Sequence, residues 1–537
     1  MERRLVSGDE AVAAAAYDGG VHLGTGYPGT PSTEILETLS LLGGRARWAP
    51  NEKVAMEVGL GAAFGGARAL VTMKHVGVNV AADPLFTAAY TGVSGALVVV
   101  SADDPGMASS QNEQDNRHYA VAAGLPMLEP SDSQEAYDLA LEAFALSERF
   151  GIPVILRMTT RVCHGKSIVT RRAPVRPKAP AFVRDIAGRV MIPGYARPAH
   201  RKLRAKLAEI QAWAEATPLN LRVHGDRKLG IVTAGVTARH AREAAPGASF
   251  LELKTVYPLP LEKIRAFAGS VERCLVVEEG DPFLAERIRA AGIAVEAKPE
   301  PFRFGELDVG RVRRIVARDL SPEPALPKGR PPMLCEACPY HPVYGALRKH
   351  DCIVAGDIGC YTLGVMPPYH GMDTCVAMGA SLGVGLGLRH VLPEKDARRV
   401  VSLIGDSTFI HSGVNGLMEM VYNPPETGHV LVVLDNGTTA MTGQQEHPGT
   451  GRTLEHDATG KVSIEGLARA VGVKNVDVVD PVADAAGFER LLVDRLGRSE
   501  LSLIVARRAC ILAAADIRRY EKANAEACAA CAGADDA

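Results

Sequence analysis

The chain has no uninterrupted apolar stretch of about 18 or more residues, so nothing in it reads as a membrane span. Its formal net charge is only −2, and no basic run is interleaved with aromatics, which removes the electrostatic case for nucleic acid. Ten cysteines among 537 residues are too sparse for a secreted disulfide scaffold. A cytoplasmic setting, with reduced thiols or metal ligation, is expected instead. No Gly-x-Gly-x-x-Gly with an acidic partner stands at a strand-to-helix turn, and the small-residue run Met378–Gly387 reads as a closely packed helix. The alanines Ala13–Ala16 are flanked by Asp9, Glu10 and Asp18, as in a helix and unlike a signal peptide.

What is present is an ordinary globular composition, 47% hydrophobic and 23% charged, with length for three or four domains. The most informative stretch runs from Gly405 to Asn436. A β-branched run, Val400-Val-Ser-Leu-Ile-Gly405, ends in Gly405-Asp406-Ser407, and a helical pattern is expected from Gly413 to Val421. A second buried-type strand, Val430–Leu434, ends in Asp435-Asn436. Parallel strands joined by a helix bring both polar ends to one rim of the sheet, where doubly wound sheets bind ligands. A carboxylate and an amide oxygen there suit a hard, octahedral Mg²⁺ that grips a diphosphate, with a strand–helix–strand unit whose Asp and Asn merely cap turns as the plain alternative.

The N-terminal 190 residues alternate helix and strand signals. Tyr27-Pro-Gly-Thr30-Pro-Ser32 is a turn-dense loop whose small residues let backbone approach a ligand. Glu52 stands where a loop gives way to a helix, a position the helix dipole favours for an acid. The polar loop from Ala102 to Arg117 follows the strand Ala96–Ser101 and is a candidate site lining, with a solvated surface loop as the plain alternative. His164 reads as structural.

From Arg171 the composition turns to Arg, Lys and Pro, as in a connector. Strand runs at Leu229–Gly235 and Cys274–Glu279 then predict a small α/β domain. Cys335-Glu-Ala-Cys338 is compatible with zinc, a redox pair or an iron–sulfur site. Cys360 and Cys510 follow strand patterns. If those strands are parallel, four thiolates share one rim, enough for a 4Fe–4S cluster or a tetrahedral zinc. Cys352 and Cys375 read as buried small hydrophobes.

Gly405-Asp406, followed about thirty residues on by Asp435-Asn436, resembles the thiamine-diphosphate motif, with Ser407 for its third Gly and Asp435 for its first Asn. The sequel Thr438–Gly451 resembles the indolepyruvate branch of the 2-oxoacid:ferredoxin oxidoreductases, and the likeness covers roughly residues 5–512. It implies an α/β multidomain fold: two doubly wound parallel-sheet domains and a transketolase-C-terminal-like middle domain suited to packing. The expected division is a pyrimidine-binding domain at 1–190, a linker at 191–228, the middle domain at 229–325, a diphosphate-binding domain at 326–513 and a degenerate tail at 514–537.

The resemblance also implies site roles. Asp406, Asn436 and the Thr438 carbonyl would hold Mg²⁺, while Gly405, Ser407, Gly443 and Gln445 would line the diphosphate. Glu52, rather than Glu57, would meet the aminopyrimidine ring, and Thr30 would lie beside the substrate. Cys335, Cys338, Cys360 and Cys510 would ligate one 4Fe–4S cluster. The implied reaction takes an aryl 2-oxoacid and coenzyme A to acyl-CoA and CO₂, with electrons leaving by the cluster. Partners would be a small second subunit, in a dimer of heterodimers, and ferredoxin or another electron carrier. The alternatives are a non-oxidative decarboxylase releasing an aldehyde, which needs no cluster, and a non-catalytic subunit, against which Glu52, Asp406 and Asn436 argue.

Two further departures from the family pattern stand out. Gln444 stands where His often precedes Gln445, and no ferredoxin-like module with cysteine-rich motifs follows residue 513. Cys528 and Cys531 are two thiols where such a cluster needs four.

Overall fold

Val400–Gly405 and Ala96–Asp103 are buried at every position, the near-continuous apolar pattern of strands covered on both faces. A computed structural model describes residues 3–176, 179–323 and 331–532. The chain divides into two units, 1–325 and 326–537. The boundary expected at 325/326 lies outside the described residues, as do the side chains of Cys528 and Cys531 and the end of the tail, 533–537.

The first unit opens with β1 (Arg3–Val6), β2 (Leu23–Gly26), β3 (Ala46–Trp48), β4 (Arg68–Lys74) and β5 (Ala96–Asp103). Next come β6 (Met127–Leu128), β7 (Val154–Thr159) and β8 (Ser167–Thr170). A second group follows: β9 (Leu221–Val223), β10 (Asp226–Ala234), β11 (Ala248–Leu253), β12 (Thr255–Tyr257) and β13 (Arg273–Val277). The main sheet has the order β12-β6-β7-β5-β4-β2-β3 and is parallel except for β12. The smaller sheet has the order β13-β10-β11-β9, with only β9 antiparallel. The strands β1 and β8 form a separate antiparallel pair.

Strand β12 belongs in sequence to the second group but pairs with β6, so the two sheets of this unit are stitched together. Buried charge reinforces the seam. Arg117 donates to Asp115, to Glu278 at 2.7 Å and to the Glu279 carbonyl at 2.7 Å. Arg157 donates to Asp103 and Glu129, each at 2.7 Å. The polar loop after β5 supplies Asp115 to this network. The stretch 191–228, expected as a connector, holds the 24-residue helix Pro193–Ala216, strand β9 and the start of β10.

The second unit is built on β14 (Ile353–Gly356), β15 (Thr374–Cys375), β16 (Val400–Gly405), β17 (His429–Asp435), β18 (Asn475–Val479) and β19 (Leu501–Arg507). Their order is β15-β14-β16-β17-β19-β18, and every pairing is parallel. The condition for a common rim is therefore met.

Two expectations need correction. The helix after β16 begins at Asp406 rather than Gly413; it passes through a π turn at Phe409–Gly413 and continues as Val414–Tyr422. Gly413 is a packing glycine, because a Cβ there would meet Ile404 at 2.9 Å. Cys375 is exposed rather than buried, because it ends the edge strand of the sheet, whereas Cys352 is buried as expected. After β19 the helix Ala514–Ala532 follows. Among the described residues no helix is long and apolar enough to cross a membrane.

Candidate functional site

Strands β16 and β17 run side by side in parallel register, with Gly405 opposite Leu434, so Asp406 and Asn436 emerge at the same sheet end. Gly405 is required by its surroundings: a Cβ there would meet the Tyr361 ring at 2.7 Å. Asp406 is buried. One carboxylate oxygen accepts from the Ser407 N–H at 2.9 Å and the other from the Gly437 N–H at 2.9 Å. His447 Nε2 lies 3.3 Å from that second oxygen. Burial alone would push the carboxyl up, but His447 and the two backbone N–H groups outweigh it and hold the pKa below its ordinary value. Asp406 is thus an anionic oxygen donor at neutral pH.

Asn436, also buried, accepts from the Thr438 N–H through Oδ1 at 3.1 Å. Ser407, standing for the motif's third Gly, is helical and needs no positive φ; its hydroxyl meets that of Thr439 at 2.9 Å. Asp435, standing for the first Asn, turns to Arg507, whose Nε donates to it at 2.7 Å. Burial first, then the charge of Asp406, pushes Asp435 up to about 6. The following loop closes on itself. Thr439 N–H donates to the Gln445 carbonyl at 2.9 Å, and the Gln445 side chain exchanges hydrogen bonds with Thr442. Gly443 has φ +124°, a conformation that favours glycine. A hard-oxygen donor pair at a strand-end rim fits Mg²⁺, and the chemistry of the set suits a diphosphate beside it.

The four predicted cysteines come together. Cys335, Cys338, Cys360 and Cys510 line one cavity of about 70 Å³ with Tyr340, Ala440 and Asn436. Burial, followed by the neighbouring thiols Cys510, Cys338 and Cys335, pushes Cys360 up to about 11. Among the described residues, no three of these sulfurs lie mutually within 4.8 Å. Four thiols lining one cavity are a donor set for either a 4Fe–4S cluster or a tetrahedral zinc. Cys510 also donates its backbone N–H to the Asn436 carbonyl at 3.0 Å.

In the first unit, Thr30 and Glu52 both follow ends of parallel strands, β2 and β3. Glu52 is 5% exposed and begins the helix Glu52–Phe64, capped by the Asn51 side chain, which accepts from the Val54 N–H. Gly77 leaves room for it: a Cβ at 77 would meet Glu52 Cγ at 2.6 Å. Glu57 lies on the surface, paired with Lys53 four residues earlier.

Sequence reasoning missed His447, which reaches Asp406 only through the fold of the loop. It also missed Asp357, whose carboxylate accepts from Gly379 and Ser381 N–H groups and is pushed up to about 6 by burial. Nothing local in the sequence marks either one.

Comparison with known proteins bears on this geometry. Residues 14–183 match the family model "Pyruvate flavodoxin/ferredoxin oxidoreductase, thiamine diP-bdg", and residues 357–506 match "Thiamine pyrophosphate enzyme, C-terminal TPP binding domain". Over 97% of the chain and 88% of the relative, it is 41% identical to the indolepyruvate oxidoreductase subunit IorA of Archaeoglobus fulgidus. The IorA subunit of Pyrococcus horikoshii is 36% identical over 99% of the chain and 90% of the relative. The chain belongs to the indolepyruvate oxidoreductase IorA family. As a member it is an oxidoreductase chain with two thiamine-diphosphate-binding modules, one in each unit.

The fold is also that of a solved 2-oxoglutarate:ferredoxin oxidoreductase from Magnetococcus marinus, at TM-score 0.51 and 18% identity over 59% of this chain and 65% of that one. In this IorA-family chain the cysteine cavity and the rim of Asp406 and Asn436 belong to the same unit.

Proposed function

We propose that this chain is the thiamine-diphosphate subunit of an oxidoreductase that cleaves an aryl 2-oxoacid with coenzyme A to acyl-CoA and CO₂. The observation that carries the reading is the shared cavity of Cys335, Cys338, Cys360 and Cys510, which also has Asn436 in its wall. A 2-oxoacid oxidation must dispose of two electrons, and an iron–sulfur cluster takes them singly.

Asp406 and Asn436, with the Thr438 carbonyl, hold Mg²⁺; Gly405, Ser407, Gly443 and Gln445 shape the diphosphate bed. Glu52, of this chain or of a second copy, hydrogen-bonds the aminopyrimidine ring, and its burial supports it over Glu57. Thr30 orients the substrate. Bound thiamine diphosphate supplies the carbanion chemistry. The four thiolates hold one 4Fe–4S cluster, a reading supported by their meeting at one cavity, with tetrahedral zinc as the rival. Electrons pass on to ferredoxin or another carrier, and the chain works with a small second subunit in a dimer of heterodimers. The relatives' description as subunits supports a partner.

The test is anaerobic purification of the chain with its co-expressed partner. About four irons per chain, a reduced-cluster EPR signal and coenzyme A-dependent acceptor reduction by indolepyruvate or phenylpyruvate are expected. Stoichiometric zinc with no iron, and an aldehyde product that needs no acceptor, would replace this reading by the non-oxidative decarboxylase.

A further inference from the structure

Arg204 and Arg287 bring two guanidiniums to one cavity of about 370 Å³ in the first unit. Arg204 projects from the helix Pro193–Ala216, Arg287 from the helix Phe283–Ala290, and Tyr257, also in the wall, ends β12. Among the described residues neither arginine forms an ion pair, whereas Arg239 and Arg273 of the same unit pair with Glu135 and Glu296, each at 2.9 Å. The Tyr257 hydroxyl likewise makes no hydrogen bond to a described residue. Burial pushes the Tyr257 pKa up while Arg204 and then Arg287 pull it down, so both charges act on the same hydroxyl.

The two guanidiniums are set in place before any ligand arrives. His200, stacked on Tyr90 with ring centroids 5.5 Å apart, accepts from Arg204 Nε at 3.2 Å and leaves the terminal amino groups of that guanidinium unused. Arg287 lies over the buried Phe283 ring, 4.7 Å from its centroid. Leu207, Leu259 and Leu261 give the cavity apolar walls. The backbone donors that a phosphate would seek are already taken. The N–H groups of Glu262 and Lys263, at the start of the helix Leu261–Ala268, both donate to the Glu215 carboxylate at 2.9 Å. An anion here must be held by side chains alone.

We propose that this cavity binds a small carboxylic acid with an apolar body, its carboxylate answered by Arg204 and Arg287 and its body laid on Leu207, Leu259 and Leu261. A guanidinium matches a planar carboxylate through paired N–H donors, and the Tyr257 hydroxyl adds a further one. The volume is that of a compact small-molecule site, at the lower end of roughly 300–1,000 Å³. None of the residues assigned to the reaction lines this cavity, so the acid is an effector rather than a substrate. Held there, it ties the helix Pro193–Ala216 to the helix Phe283–Ala290 beside the strand that joins the two sheets, and so stabilises the seam.

In the test, the full chain is titrated calorimetrically with phenylacetate, its neutral isostere phenylacetamide, acetate and inorganic phosphate. One equivalent of phenylacetate is expected, with the amide, acetate and phosphate each at least tenfold weaker. Arg204→Gln and Arg287→Gln are each expected to weaken phenylacetate at least tenfold, and saturating phenylacetate to raise the urea midpoint of the parent but not of Arg204→Gln. Equal affinity for phosphate would overturn the proposal, reducing the cavity to a patch of positive charge. So would an absence of phenylacetate binding, or binding that survives both arginine substitutions and therefore lies elsewhere. Should either variant fail to fold, crystals of the unsubstituted protein soaked in 4-bromophenylacetate decide: a bromine anomalous peak beside Arg204 and Arg287 supports the site, and its absence refutes it.

Discussion

The backbone N–H of Cys510 donates to the backbone carbonyl of Asn436 at 3.0 Å, joining a residue of the cysteine cavity to the strand end that lies beside Asp406. The bond belongs to the main chain, so it survives most changes of the Cys510 side chain. Cys510→Ala is expected to lose iron while keeping thiamine diphosphate affinity. Cys510→Pro removes the donor and is expected to weaken both. Iron analysis with calorimetric cofactor titration checks the split.

Asp406 is the anionic donor of the proposed Mg²⁺ site, held ionised by His447 and two backbone N–H groups. Asp406→Asn keeps the shape and loses the charge. Thiamine diphosphate affinity measured by calorimetry in Mg²⁺ is expected to fall at least a hundredfold, and unchanged affinity would remove Asp406 from the site.

Glu52 is buried at a helix start, whereas Glu57 pairs with Lys53 on the surface. Glu52→Gln is expected to slow proton exchange at the thiazolium C2 of the bound cofactor by orders of magnitude, with binding retained. Glu57→Gln is expected to change neither. NMR-detected exchange distinguishes the two glutamates.

Glu279 gives a pH signature of stability in the first unit. Burial pushes it from an ordinary 4.5 up to about 7, and its Oε2 is buried without a hydrogen-bond partner. The folded state holds this proton more tightly than the unfolded one, so the contribution is fully present below pH 4.5 and is lost as pH rises through about 7. Glu279→Gln does not titrate and can still accept from the Leu307 N–H. At pH 8 it is expected to be more stable than the parent by on the order of 3 kcal/mol, a gain that vanishes near pH 4.5 in urea titrations.

Arg117 welds the two sheets of that unit. Its guanidinium is fully buried between Asp115 and Glu278, and Arg117→Ala leaves both carboxylates without it. A loss of about 3–5 kcal/mol is expected by chemical denaturation. A larger loss than for Arg171→Ala, whose partner Asp18 keeps the Tyr137 hydroxyl, would mark the seam as the weak point.

The buried strands were legible as near-continuous apolar runs, as in Val400–Gly405 and Val430–Leu434, while the parallel sheets were implied by the family resemblance and the strand–helix–strand order. The rim followed from the same logic: parallel strands put Asp406 and Asn436 at one end, and Cys360 and Cys510 after neighbouring ends. Local pattern could not tell where the helix after β16 begins, since a π turn leaves no signature in composition and Gly413 serves packing. It mistook Cys375 for a core residue because a thiol's burial depends on whether its strand is an edge. It could not see that β12 leaves its own group to pair with β6. Nor could it find His447 against Asp406, Arg507 against Asp435, or Arg204 and Arg287 at one cavity. Those pairings join residues far apart in the chain, and only the packing of one element on another decides which charges meet.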